Sequence, residues 1–174
     1  MKPLIEIYRK LYFFYGPQNW WPADSPLEIA VGAILTQNTN WSNVEKAIRN
    51  LKNAKVLNAK ALHNLPLQKL ASLIRPAGYF NVKAKRLKAF IDFLMVNYNG
   101  SMKKIQKEDA ESIRKKLLHI HGIGPETADS ILLYALDKPV FVIDVYTKRV
   151  LSRHKILDGN ASYDEYQNLF HKEL

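Results

Sequence analysis

The stretch Leu118-His-Ile-His-Gly-Ile-Gly-Pro-Glu-Thr-Ala128, with Val142-Ile-Asp-Val-Tyr146 downstream, decides how this chain is read. Its Gly-x-Gly stands between two apolar helical stretches, as in a tight hairpin with exposed backbone amides. Gly122 and Gly124 tolerate positive φ and lack a Cβ, so a ligand's backbone can approach closely. Pro125 suits the first position of the following helix. Amides and dipole at such a start attract a phosphate. Asp144 lies eighteen residues after Glu126, behind the apolar run Val140-Phe-Val-Ile143, where the N-cap of a further helix belongs. On that ground alone Asp144 reads as a cap favoured by the helix dipole.

Outward from this stretch the periodicity is helical nearly throughout. Leu4, Ile7, Tyr8 and Leu11 recur at helix spacing until Gly16-Pro17. Ser25 and Pro26 open a helix reaching about Thr36, and the turn Thr36-Gln-Asn-Thr-Asn40 leads into a helix over 41–51. Further helices are predicted over 65–74, 81–98, 108–118, 126–136 and 145–153. In the longest, Leu87, Phe90, Ile91 and Leu94 share one face, while Lys83, Lys85, Arg86 and Lys88 crowd the opening turns. Ser162 and Glu165 form a capping box for the last helix, which reaches about Phe170. The expectation is an all-α protein of roughly eight to ten helices.

Composition narrows the partners. The chain has 174 residues, 47% of them hydrophobic, enough for one core or for two small lobes. Twenty-six Lys and Arg against sixteen Asp and Glu leave a net charge of +10, which suits a polyanion. There is no cysteine, so disulfides, thiolate zinc sites and a cysteine-held iron–sulfur cluster are excluded. The histidines show no ligand spacing. Glu6, Arg9 and Lys10 interrupt the apolar amino end, making it a poor signal peptide, and no run approaches a membrane span. The localisation expected is cytoplasmic and nucleoid-associated, with no membrane partner; the oligomeric state is unknown.

The hairpin, the Gly/Pro-rich loop and the downstream aspartate together resemble the helix-hairpin-helix signature of the endonuclease III superfamily of DNA glycosylases. Trp20-Trp-Pro22 and Gln37-Asn-Thr-Asn-Trp41 resemble its 3-methyladenine DNA glycosylase III branch. The likeness runs from about Trp20 to Arg153. Two departures stand out. Many endonuclease III relatives carry a four-cysteine cluster that this chain lacks, and His121 stands where the family usually has proline.

The resemblance implies an all-α fold of two helical lobes with the DNA-binding active cleft between them. Residues 27–136 would form the helical barrel lobe with the hairpin, and residues 1–26 plus 137–174 the second lobe, carrying the catalytic Asp144. It implies that Trp20, Trp21, Pro22 and Trp41 line the pocket of a flipped base, with Trp21 the most structural of the tryptophans. Gln37 would fill the gap left in the duplex, and Asn38 would contact the orphaned strand. Gly122, Ile123, Gly124, Thr127 and Lys148 would contact DNA, with Lys83, Lys85, Arg86 and Arg149 as further backbone contacts. Carbonyls of Leu118, Ile120 and Ile123 would hold a structural sodium or potassium ion; no other cofactor is implied.

Bifunctional relatives place a Schiff-base lysine where this chain has Glu126, and a carboxylate forms no imine. The activity implied is therefore base excision repair by a monofunctional glycosylase acting on alkylated purines of the 3-methyladenine type in damaged double-stranded DNA. The alternatives are a glycosylase for another damaged or mismatched base, with or without AP lyase activity, and a non-catalytic helix-hairpin-helix DNA-binding protein. Family members continue past the helix beginning at Ser162, so the first or last helix is expected to leave apolar surface uncovered and prone to self-association.

Overall fold

The computed structural model describes residues 3–18 and 20–173; Asn19, in the polar loop before the tryptophan pair, lies outside the described residues, as do Met1, Lys2 and Leu174. Among the described residues there is no strand. The helices are α1 (Pro3–Tyr15), α2 (Pro26–Leu35), α3 (Trp41–Asn53), α4 (Ala59–Asn64), α5 (Leu67–Leu73), α6 (Phe80–Tyr98), α7 (Met102–Ile105), α8 (Ala110–Leu118), α9 (Pro125–Ser130), α10 (Val145–Arg153) and α11 (Tyr163–Glu173). A 3₁₀ turn over Arg75–Ala77 precedes α6, and a π-helical segment, Ile131–Ala135, continues α9. Contacts divide the chain into two compact units: Ala23–Pro139, and Met1–Pro22 with Val140–Leu174.

The caps behave as their residue types require. Ser25, Asn40, Asn58, Ser101, Asp109 and Asp144 each accept a first-turn backbone N–H, contributing about 1 kcal/mol apiece. Ser162 and Glu165 close their capping box reciprocally: Ser162 N donates to Glu165 Oε2 at 2.7 Å, and Glu165 N to Ser162 Oγ at 3.2 Å. Two short helices, α4 and α7, fall where the apolar period is too brief to read.

The Ala23–Pro139 unit is built around α2, whose Ala30, Val31, Ile34 and Leu35 are fully buried. It packs against α6 and the π-helical segment. Helix α6 turns Leu87, Phe90, Ile91 and Leu94 to the same core. Lys83 is a correction to the sequence reading, which made it a DNA contact. It is 1% exposed, and its Nζ donates to Leu35 O at 2.9 Å and Ala77 O at 2.7 Å. It thereby satisfies carbonyls at the end of α2 and in the 3₁₀ turn. Burial above all, then the positive charge of Arg86, pushes its ammonium down to about 8.

The other unit has its own core of Leu4, Ile143, Leu151, Tyr166 and Phe170. Helix α1 contributes Leu4 to it but turns Phe13 and Phe14 outward, 92% and 78% exposed. Apolar surface on the first helix is thus uncovered.

Candidate active site

In the Ala23–Pro139 unit, α8 ends at His119 and the chain closes the hairpin through Ile123 N donating to Ile120 O at 3.0 Å. Gly122 has φ +83, a conformation that L side chains rarely adopt. The two glycines serve different purposes. A Cβ on Gly122 would meet Arg86 Cγ at 2.3 Å, so its bare face is filled by the protein's own side chain. A Cβ on Gly124 would meet nothing within 4 Å. Gly124 is exposed and offers no side-chain cap to α9. Gly124 is therefore the glycine at which an outside backbone can draw close.

Several expected DNA contacts are occupied inside the unit, for reasons sequence spacing does not show. Ile123 is 4% exposed, with its N–H used in the turn, and belongs to the hairpin's core. Thr127 is 7% exposed, and its hydroxyl accepts Gln37 Nε2 at 2.9 Å. Gln37 Nε2 also donates to Gly122 O at 3.0 Å, and Gln37 Oε1 accepts Arg86 Nη1 at 2.5 Å. As the chain folds, Gln37 cross-links the turn and the hairpin. The projecting residue of the turn is its neighbour Asn38, exposed and left-handed at φ +52.

Trp41 opens α3 half-buried, and its indole N–H donates to Glu45 Oε1 at 3.0 Å. Glu126 is exposed in the first turn of α9. Of the carbonyls expected to hold a monovalent ion, that of Ile120 accepts Ile123 N–H and keeps a second lone pair. Among the described residues no group of three or more His, Asp or Glu is placed to hold a metal.

In the other unit the segment before Asp144 is fastened by α11. Gln167 Nε2 donates to Phe141 O at 2.9 Å, Ile143 N donates to Tyr163 Oη at 3.3 Å, and the Phe141 and Phe170 rings stack 3.6 Å apart. With the chain so held, Asp144 caps α10, its Oδ1 accepting Thr147 N at 2.7 Å. Oδ2 makes no hydrogen bond among the described residues and remains available. The carboxylate borders a largely apolar cavity of about 320 Å³, with Leu4, Phe141, Tyr146, Val150 and Phe170 among its walls. None of these was named as a site residue from sequence, because only tertiary packing gathers them around Asp144.

Lys148 is partly buried. Its Nζ sits 5.2 Å over the Tyr166 ring and 3.4 Å from Ala161 O, turned toward its own unit. Arg149 and Lys85 are exposed. Trp20 is 62% exposed and Pro22 is exposed, whereas Trp21 is half-buried with φ 92.

One unit thus carries a helical hairpin with an open glycine, and the other a capping aspartate with one free carboxylate oxygen. Residues 31–174 match the profile of the HhH-GPD superfamily of base excision DNA repair proteins, and the chain belongs to that family. Over 173 residues it is 50% identical to a candidate DNA repair glycosylase of Methanocaldococcus jannaschii, covering 98% of this chain and 78% of that one. Thermotoga maritima endonuclease III is 26% identical over 79% of this chain, which matches 60% of that protein. Among solved structures, the H. pylori 3-methyladenine DNA glycosylase bound to 1,N6-ethenoadenine is 33% identical with a TM-score of 0.84, over 98% of this chain and 80% of that one. An endonuclease III trapped covalently on DNA shares the fold at a TM-score of 0.83 and 20% identity, over 100% of this chain and 78% of that one.

Proposed function

We propose that the protein is a monofunctional DNA glycosylase that removes N-alkylated purines of the 3-methyladenine type. The observation that carries this reading is Asp144: one carboxylate oxygen is fixed by Thr147 N–H and the other is unoccupied. In an alkylated purine nucleotide the base already carries positive charge. When the bond from C1′ to the base nitrogen breaks, its electron pair leaves with the base, which departs neutral, and the positive charge moves to the sugar. The open Oδ2 stabilises that charge and takes a proton from the water whose oxygen bonds to C1′. A cationic leaving group needs no proton donor.

The resemblance to a 3-methyladenine glycosylase at 33% identity supports the substrate class. Indole faces at Trp20 and Trp41 suit an electron-poor base, with cation–π attraction of roughly 0.5–2 kcal/mol. Glu126 supports the absence of a lyase step, since that position offers no amine. Double-stranded damaged DNA is the partner, gripped through phosphates at the Gly124 side of the hairpin.

Release of free base from methylated duplex DNA tests the reading. Wild-type protein is expected to release methylated purines and to leave unmethylated duplex intact, and Asp144→Asn is expected to lose about 10²–10³-fold in rate. Wild-type turnover by the Asn variant would return Asp144 to a capping role alone.

A further inference from the structure

We propose that a second copy of this chain docks on α1, with the Phe13 and Phe14 rings of each copy seated in a hollow beside α1 of the other. In the last two turns of α1, Tyr8, Leu11, Tyr12, Phe13, Phe14 and Tyr15 are each at least 50% exposed. They point to nearly every side of the helix, and a helix apolar all round belongs inside a protein rather than in water. At about 200 Å² per fully exposed aromatic side chain, the six present roughly 700–800 Å². A stable interface buries about 800 Å² on each partner.

The chain carries both halves of a fit. Tyr8, Leu11, Tyr12 and Tyr15 recur at i, i+3, i+4 and i+7, so they share one face of α1. With Gly16 and Pro17 they line a hollow of about 560 Å³. An apolar cavity of about 150 Å³ holds one benzene ring, so this one has room for two phenyl rings. Its corner is fixed: Gly16 N donates to Tyr12 O at 2.8 Å, and Gln18 Nε2 to Tyr15 O at 2.8 Å. The Tyr8 and Tyr12 rings stack at 5.8 Å along its wall. At about 100° per residue, Phe13 and Phe14 fall on other faces of the helix and cannot turn into the hollow of their own chain. A second copy supplies what one copy cannot.

A hollow and two rings on one short helix make the surface self-complementary, the condition for a two-fold interface that closes on itself. Arg9 and Lys10 flank Phe13 on the helix surface and travel with it to the tyrosine-walled hollow, where ring faces attract cations. A foreign helix in the hollow would leave Phe13 and Phe14 in water. A lipid surface suits a helix whose cations lie opposite its rings, whereas here the cations stand among them. Tyr8 and Leu11 also wall the cavity that Asp144 borders, so the docked copy lies against two side chains of that cavity.

The test is sedimentation velocity of the full chain over a concentration series. Phe13→Ser/Phe14→Ser removes the rings, and Tyr12→Glu spoils the hollow. All three positions are exposed, so the circular dichroism and melting of both variants should match wild type. Wild type is expected to dimerise at micromolar concentration or below, the range that interfaces of this size span. Each variant should weaken dimerisation roughly thirtyfold or more. An equimolar mixture of the two variants should associate more tightly than either alone, because the rings of one meet the intact hollow of the other. A wild type still monomeric at about 100 µM overturns the proposal. So do assembly beyond the dimer, a dimer that persists in Phe13→Ser/Phe14→Ser, and a mixture no tighter than its components. Monomers captured by phosphatidylglycerol vesicles would assign the face to lipid and overturn it too. Should Tyr12→Glu unfold, Tyr12→Gln is judged by the same criteria.

Discussion

Arg86 occupies the space that a side chain at position 122 would need: a Cβ built on Gly122 lies 2.3 Å from Arg86 Cγ. Gly122 is therefore a glycine for an internal reason, reinforced by its φ of +83, whereas Gly124, with open space at its Cβ position, is a glycine facing outward. The two halves of the Gly-x-Gly separate by experiment.

Gly122→Ala is expected to destabilise the fold by about 2–5 kcal/mol, from left-handed strain of about 1–2 kcal/mol and overpacking of about 1–3 kcal/mol. Gly124→Ala should unfold within about 0.5 kcal/mol of wild type and yet bind duplex DNA more weakly. Urea unfolding and DNA titration of the same two variants check this. An unstable Gly124→Ala would assign that glycine to packing instead.

Lys83 makes stability depend on pH in the alkaline range. Its folded value is depressed to about 8 from 10.5, so between those limits the unfolded chain binds the proton and the folded one does not. Stability from this group therefore rises as pH increases from 8 to 10.5 and is flat below 8. The stability of wild type relative to Lys83→Met should grow by about 1–3 kcal/mol across that window. Lys52, whose value is raised by Asp24 and Glu28, acts oppositely; its contribution is lost only as pH climbs beyond 10.5. An identical pH slope in the two proteins would contradict the burial argument.

At Asp144 capping and chemistry are separable. Asn retains an acceptor for Thr147 N–H, so Asp144→Asn should melt within a degree or two of wild type while losing base release. Asp144→Ala removes the cap as well and should cost about 1 kcal/mol in addition. Thermal unfolding of both variants alongside their base-release rates gives the comparison.

Trp41→Ala is expected to reduce excision of methylated purine by the equivalent of about 1–3 kcal/mol, the worth of stacking one base. Its affinity for undamaged duplex should change little, because phosphate contacts dominate there. Unchanged excision by the Trp41→Ala variant would remove that indole from base recognition.

With Glu126 in the first turn of α9, no enzyme–DNA adduct should be trapped by borohydride, and the abasic product should remain unnicked until alkali is added. Electrophoresis of the reaction under denaturing conditions shows either outcome. Efficient trapping would identify another lysine as a nucleophile and the protein as bifunctional.

Much of this molecule was legible in its sequence, because the signals involved are local. Ser25, Asp144 and the Ser162–Glu165 box announce helix starts through hydrogen bonds spanning three residues, and a 3.6-residue apolar period marks α2, α6 and α8 without reference to the rest of the chain. Gly122, Gly124 and Pro125 likewise betray the hairpin through backbone conformation alone. What a side chain does once folded depends on neighbours that spacing cannot supply. Lys83 looks like one more cation in a basic turn until Leu35 and Ala77 carbonyls close over it. Gln37 looks like a free turn residue until Gly122 and Thr127, 85 and 90 positions away, take both its amide protons. Asp144 could be named as a cap from sequence, but the cavity it borders is assembled from α1, α10, α11 and the segment before it. Local hydrogen-bonding and periodicity set where each helix begins and which face is apolar; only long-range packing decided which polar groups were satisfied internally and which oxygen of Asp144 was left open.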